Sequence, residues 1–186
     1  MIKKLNAVCS WILTAFLIAH LATMSYSMWT GWYDFNLCKA MAHGTAFIAV
    51  IHIAVSLIIL FFMNDGTDLR RYKKNNMRVI LQRASGLAII ALLHLHVQAF
   101  GFIVSGEALS VSDKAFILVT EIAFFAAIFV HLCVSLSRSF ITVGLVRSDS
   151  AEKKADIASK IICVVLMIIS SAALLKFVIT WTGFGG

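Results

Sequence analysis

The chain has 186 residues, 61% of them hydrophobic, with a mean hydropathy of +0.93, no proline, 13% charged residues and a formal charge of +7. A soluble domain is about 45–50% apolar and about 25% charged, and a small domain leaves too much surface in water to hide such an excess. These figures exclude a soluble globule, a disordered chain, a collagen, a coiled coil and a disulfide scaffold, and they make lipid the solvent for much of the chain.

Five apolar stretches reach the length of about 20 residues that a helix needs to cross a bilayer. A helix satisfies its backbone polar groups internally, so an all-α integral membrane bundle of five transmembrane helices, forming one domain over residues 1–186, is expected. The first stretch, Val8–Gly31, has too long an apolar run for a cleaved signal peptide and no A-x-A-like site after it. It contains His20 and ends beside Trp29, Trp32 and Tyr33. The second, Ala40–Met63, carries His43 near its start and His52 at depth; nine residues turn a helix through about 900°, which sets the two on opposite faces.

The third stretch, Ile80–Val104, opens on Gln82, Arg83 and Ser85 and carries His94 and His96, which lie about 200° apart and cannot face one partner together. The fourth, Ala115–Leu145, carries Glu121, its only acid, and then His131 and Arg138. Those last two are about 700° apart and so share a face to within about 20°, with the arginine roughly 10 Å nearer the helix end. The fifth, Ile157–Trp181, has no histidine. No repeat, low-complexity tract or second domain interrupts the series.

Lysine and arginine set the expected orientation. Of the 16, thirteen fall at the N-terminus and in the second and fourth connections with their flanks, among them Arg70, Arg71, Lys73, Lys74, Lys153 and Lys154; only Lys39, Lys114 and Lys176 fall on the other side. The positive-inside rule places the N-terminus in the cytoplasm and the C-terminus outside, with Trp29, Trp32, Tyr33 and Trp181 forming an outer aromatic belt. A multi-pass protein of the bacterial cytoplasmic membrane is expected. The basic residues read as topology signals rather than as a nucleic-acid face. Cys9, Cys38, Cys133 and Cys163 form no C-x-x-C pair and read as small apolar residues rather than as metal or haem-attachment sites.

The chemistry lies in the histidines. Ionisable residues inside membrane helices are costly and mark function, and His20, His52, His96 and His131 sit at depth on the first four helices, one on each. Neutral imidazole is an axial ligand of haem iron, and a bis-histidine haem takes one from each of two facing helices. Four histidines therefore suit two haems. At 1.5 Å per residue from the cytoplasmic ends, His20 and His96 lie roughly 18–25 Å deep, His52 roughly 16 Å and His131 roughly 20 Å. Depth alone leaves the pairing loose and favours His20 with His96 as an outer pair and His52 with His131 as an inner one. His43 and His94 are secondary, His94 being the reserve candidate for the third helix.

Leu81-Gln82-Arg83-Ala84-Ser85-Gly86, followed after nine residues, apolar or small apart from His94, by His96, resembles the QR-[VA]-[ST]-G…H signature of the succinate dehydrogenase/fumarate reductase cytochrome b subunit in its single-chain, five-helix, two-haem form. Lys4-Leu5 before the helix with His20, Ile51-His52-Ile53-Ala54-Val55, His131 followed by Arg138, and a last helix without histidine complete the ordered set, which covers nearly the whole chain. The resemblance implies two haems b, the outer one on His20 and His96 and the inner one on His52 and His131, with Arg83, Arg138 and Ser85 as further haem contacts. It implies a subunit without a dicarboxylate site of its own, anchoring a flavoprotein and an iron–sulfur protein at the cytoplasmic face and exchanging electrons with a quinone, expected to be menaquinone. Some members carry a glutamate two residues before the fourth ligand; here Phe129 stands there.

Arg138 is placed to meet a propionate of the inner haem. The polar groups suited to a quinone near the outer haem are His43, Gln98 and Glu121, with Gln82 as an inner alternative. Two other readings remain open on sequence: a different di-haem, quinone-linked cytochrome b, and a haem-free transporter that uses its histidines for protons.

Overall fold

The computed structural model describes residues 2–62, 73–105, 107 and 109–180, with residues 73–76 described by their backbone alone. It consists of five helices: α1 (Ile2–Thr30), α2 (Phe35–Phe62), α3 (Lys73–Val104), α4 (Val111–Val143) and α5 (Asp149–Ile179). All five are long and apolar enough to cross a membrane, and no strand pairs among the described residues form a sheet. The all-α, five-helix expectation holds. Arg70, Arg71 and Trp181, and the side chains of Lys73 and Lys74, lie outside the described residues.

Every helix begins earlier than the apolar stretch that signals it. Hydropathy sees only what lipid requires, whereas caps and polar turns extend a helix past that limit. Ser110 and Asp113 form a capping box that starts α4 ahead of Ala115. Ser148 accepts from the Ala151 amide and starts α5 eight residues before Ile157. Gly144, at φ +90°, closes α4 in the left-handed conformation that glycine tolerates best.

Polar contacts fix the alternation of the helices. Ser56 on α2 bonds Asn6 on α1 at 3.1 Å, Trp11 Nε1 on α1 donates to Ser139 on α4 at 2.6 Å, and Asp156 on α5 pairs with Arg78 on α3 at 2.8 Å and accepts from Ser137 on α4 at 3.0 Å. These contacts gather one end of the bundle, the basic end. At the opposite, aromatic end, Lys176 of α5 bonds the Trp29 carbonyl and lies 4.5 Å from the Trp29 ring. Trp29 and Trp32 are both 51% exposed there, as amphipathic rings at a membrane interface would be.

The packing is uneven. The backbones of α1, α4 and α5 pack against one another, that of α2 packs only against α1, and that of α3 only against α4; no Cα of α2 comes within 8 Å of α3 or α4, nor any of α1 within 8 Å of α3, among the described residues, so α3 meets α5 and α1 through side chains alone. Helices α1 to α4 thus enclose an interior in which α1 stands diagonally across from α3, and α2 from α4. The contacts use small polar residues: Ser27, Ser85, Thr120, Ser137, Ser139, Ser159 and Ser170 are all buried, as expected where helices approach closely in lipid. Large apolar side chains such as Phe47, Val50, Phe61 and Phe62 on α2 face outward. Ala99, Ile103, Ile117, Leu174, Phe177 and Val178 form the apolar core at the aromatic end.

Candidate functional site: two levels of paired histidines

The four histidines singled out by depth fall into two diagonal pairs. His20 on α1 and His96 on α3 have ring centroids 6.4 Å apart with planes at 85°. His52 on α2 and His131 on α4 are close enough to interact electrostatically. Each pair therefore joins two helices whose backbones do not touch. Along α4, Glu121 and His131 are ten residues or about 15 Å apart; along α3, Gly86 and His96 are separated by the same rise, so the pairs occupy two levels.

At the aromatic-end level, His96 is held on its edge and on its face. Its Nδ1 lies 2.9 Å and 2.8 Å from the two carboxylate oxygens of Glu121, and Phe124, one turn further along α4, stacks on the ring at 4.7 Å. Glu121 is 4% exposed. A carboxylate only accepts, so His96 Nδ1 donates and Nε2 keeps its lone pair.

At the basic-end level, His131 Nδ1 lies 3.1 Å from the Gln82 carbonyl and 3.2 Å from the Ser85 hydroxyl, which in turn donates to the Leu81 carbonyl at 2.6 Å. The carbonyl fixes the same tautomer: Nδ1 donates and Nε2 is left as an electron-pair donor. Gly86 brings the α3 backbone against this ring, since a Cβ there would lie 3.4 Å from His131 Cε1. The Gln82–Gly86 stretch thus serves as the cradle of His131.

The histidines on α1 and α2 are held differently. Among the described residues the Nδ1 atoms of His20 and His52 are buried side-chain nitrogens with no hydrogen-bond partner, a state that costs about 1–3 kcal/mol each; the His52 ring lies within hydrogen-bonding reach of the Asn6 backbone. Each level therefore pairs one imidazole whose Nδ1 is held by a hydrogen bond with one whose Nδ1 has no partner among the described residues.

The spacing of the aromatic-end pair would suit iron held between two imidazoles. Imidazole binds first-row metals at about 2 Å and its ring centre lies about 1 Å further out, so two rings on opposite sides of one metal have centres about 6 Å apart. His20 and His96 stand at 6.4 Å.

The remaining expected residues are placed as follows. His94 is exposed and its Nε2 bonds Gln98 Nε2 at 3.1 Å, so that on α3 it is His96 that turns to the interior. His43 is exposed, on the face of α2 away from His52. Arg83 and Arg138 are half-buried and both engaged in interactions within the protein. Of the groups named for a quinone, His43 and Gln98 are exposed on two helices that do not touch, Gln82 gives its carbonyl to His131, and Glu121 spends both oxygens on His96. They form no single cluster.

Sequence reasoning missed the Glu121–His96 contact, the stacking of Phe124 and the hub at Asp156. The first had a signal: a lone acid deep in an apolar helix needs a partner, and His96 lies at its level.

Fold and site together define a helical bundle able to span a membrane, with four histidines paired at two levels of its interior. No family model matches the chain, and no curated protein or solved structure is similar to it.

Proposed function

We propose that the chain is the membrane-anchor cytochrome b subunit of a succinate:quinone or quinol:fumarate oxidoreductase, holding two haems b, one on His20 and His96 and one on His52 and His131. The observation that carries this is the pairing of histidines across both diagonals, by a ring contact between His20 and His96 and an electrostatic interaction between His52 and His131, on helices whose backbones keep apart. Haem iron held between two imidazoles exchanges one electron at a time. His96 and His131 offer Nε2 in tautomers fixed by Glu121 and by the Gln82 carbonyl, while His20 and His52 approach from the opposite helices. Arg138, one face with His131, is placed to bond a propionate.

With the basic end cytoplasmic, as the lysine and arginine distribution indicates, an iron–sulfur subunit and its flavoprotein would dock there, near the hub of Arg78, Asp156 and Lys160. Quinone dissolved in the bilayer would meet His43 and Gln98, which are exposed on α2 and α3. The Gln82–Gly86 stretch and the order of the histidines support this family over other di-haem cytochromes.

The test is a haem count on protein purified from native membranes together with its partners. Two b haems per chain are expected by pyridine haemochrome, one of them lost in both His20→Ala and His96→Ala and the other in both His52→Ala and His131→Ala. A colourless protein, or a single haem insensitive to one pair, removes the proposal and favours a haem-free transporter.

A further inference from the structure

The two interior imidazoles that are oriented by hydrogen bonds differ in what holds them. His131 leans on a backbone carbonyl and a hydroxyl, both neutral, whereas His96 leans on a carboxylate that is 4% exposed and lies deep in a membrane helix. A buried acid is retained only where a partner offsets its desolvation. Apart from the imidazole it touches, no basic side chain bonds Glu121 among the described residues, and Phe124 seals the face of the ring beside it.

We propose that Glu121 is a positioning residue that makes His96 the strongest electron donor of the four interior histidines. Its carboxylate takes the Nδ1 hydrogen, fixes the plane of the ring and directs a more basic Nε2 toward His20. A carboxylate behind a metal-bound histidine raises the basicity of that ligand, and its loss typically costs 10–100-fold in metal affinity. The same negative charge stabilises the oxidised state of a metal on the far side of the ring. The aromatic-end centre is therefore the harder of the two to reduce, and Glu121 is the residue that makes it so. This inference rests on the haem assignment proposed above. A purely structural tie between α3 and α4 would need only a hydrogen bond, and those helices already pack along their length.

The experiment compares Glu121→Gln, which keeps an acceptor and removes the charge, with the wild-type complex in a redox titration that resolves both haems, the aromatic-end one being identified by its absence from His96→Ala. At a fixed ambient potential the reduced-to-oxidised ratio of that haem should rise at least tenfold in Glu121→Gln, equivalent to 59 mV for one electron, while the basic-end haem moves less than twofold. The low-temperature spectrum of the aromatic-end haem alone should change. Two haems in the wild type, one in His96→Ala, and unchanged ratios in Glu121→Gln overturn the role of Glu121 and leave the haem assignment standing. A wild type without haem, or a His96→Ala variant that keeps both, overturns the assignment itself. If Glu121→Gln does not load, Glu121→Asp decides: two haems at the wild-type ratio support the charged contact, and failure to load, or loading with both ratios shifted alike, overturns it.

Discussion

The aromatic-end and basic-end levels are built from the same parts, a histidine from α1 or α2 whose Nδ1 has no partner among the described residues and one from α3 or α4 whose Nδ1 is held, and they differ in how that anchor is made. At the basic end the anchor is the helix itself: Gln82 lends its carbonyl and Gly86 lends the space for His131 to lie against the backbone. At the aromatic end the anchor is a second side chain, Glu121, reaching from the neighbouring helix. A backbone cradle is fixed by a local stretch and carries no charge. Both anchors cross between α3 and α4 and depend on their register, but the side-chain anchor brings a charge with it. Two chemically equivalent imidazoles are thereby placed in unequal fields.

The strongest way to break the comparison is to disturb what both levels share. Gly44 on α2 lies so near Phe16 on α1 that an added Cβ would sit 2.5 Å from Cε1 and 2.9 Å from Cδ1 of that ring. Gly44→Val should force α1 and α2 apart at a cost of about 1–3 kcal/mol, lowering the thermal midpoint in detergent and depleting both haems together. Adding Phe16→Ala should restore much of the midpoint; depletion of one level alone would show that the α1–α2 contact is not their common support.

Gly86→Val should act on one level only. The 3.4 Å contact accommodates an alanine Cβ, but the further methyl groups of valine reach into the His131 ring. Haem counts should show the basic-end group lost and the aromatic-end group retained, with Gly86→Ala close to wild type. Loss of both haems would mean that the levels are not independent.

Ser85→Ala sharpens the contrast with Glu121 and carries the smallest effect. His131 keeps the Gln82 carbonyl at 3.1 Å after losing the hydroxyl at 3.2 Å. A stability loss of about 0.5–1.5 kcal/mol is expected, read as a denaturation midpoint, with both haems retained. A redox shift as large as that of Glu121→Gln would contradict the distinction between neutral and charged anchors.

Much of this was legible in the sequence, for physical reasons that can be named. Lipid imposes a length and a composition, so the five helices and their order followed from hydropathy alone; their true starts did not, because Ser110 and Ser148 cap turns that lie outside the apolar runs. Helical phase separated His43 from His52 without any structure. It could not choose between His94 and His96, since one face of α3 looks like another until α4 is packed against it. Glu121 was visible as an isolated acid and was assigned among the quinone contacts. Its bond to His96 depends on the offset between α3 and α4, a quantity that no single helix encodes. Asp156 went unnoticed because it sits among the charges of a helix start, where solvated acids are common.

The uneven packing has a consequence for biogenesis. Helices leave the ribosome in order, and α3, whose backbone packs only against α4 among the described residues, emerges before the helix that holds it. Until α4 is inserted, His96 has neither its carboxylate nor a fixed direction, and His52 has no His131 to face. A nascent chain of three helices holds both His20 and His96 but lacks the Glu121 carboxylate and the His131 that faces His52, so a chain truncated before the fourth span should reach the bilayer with neither level complete.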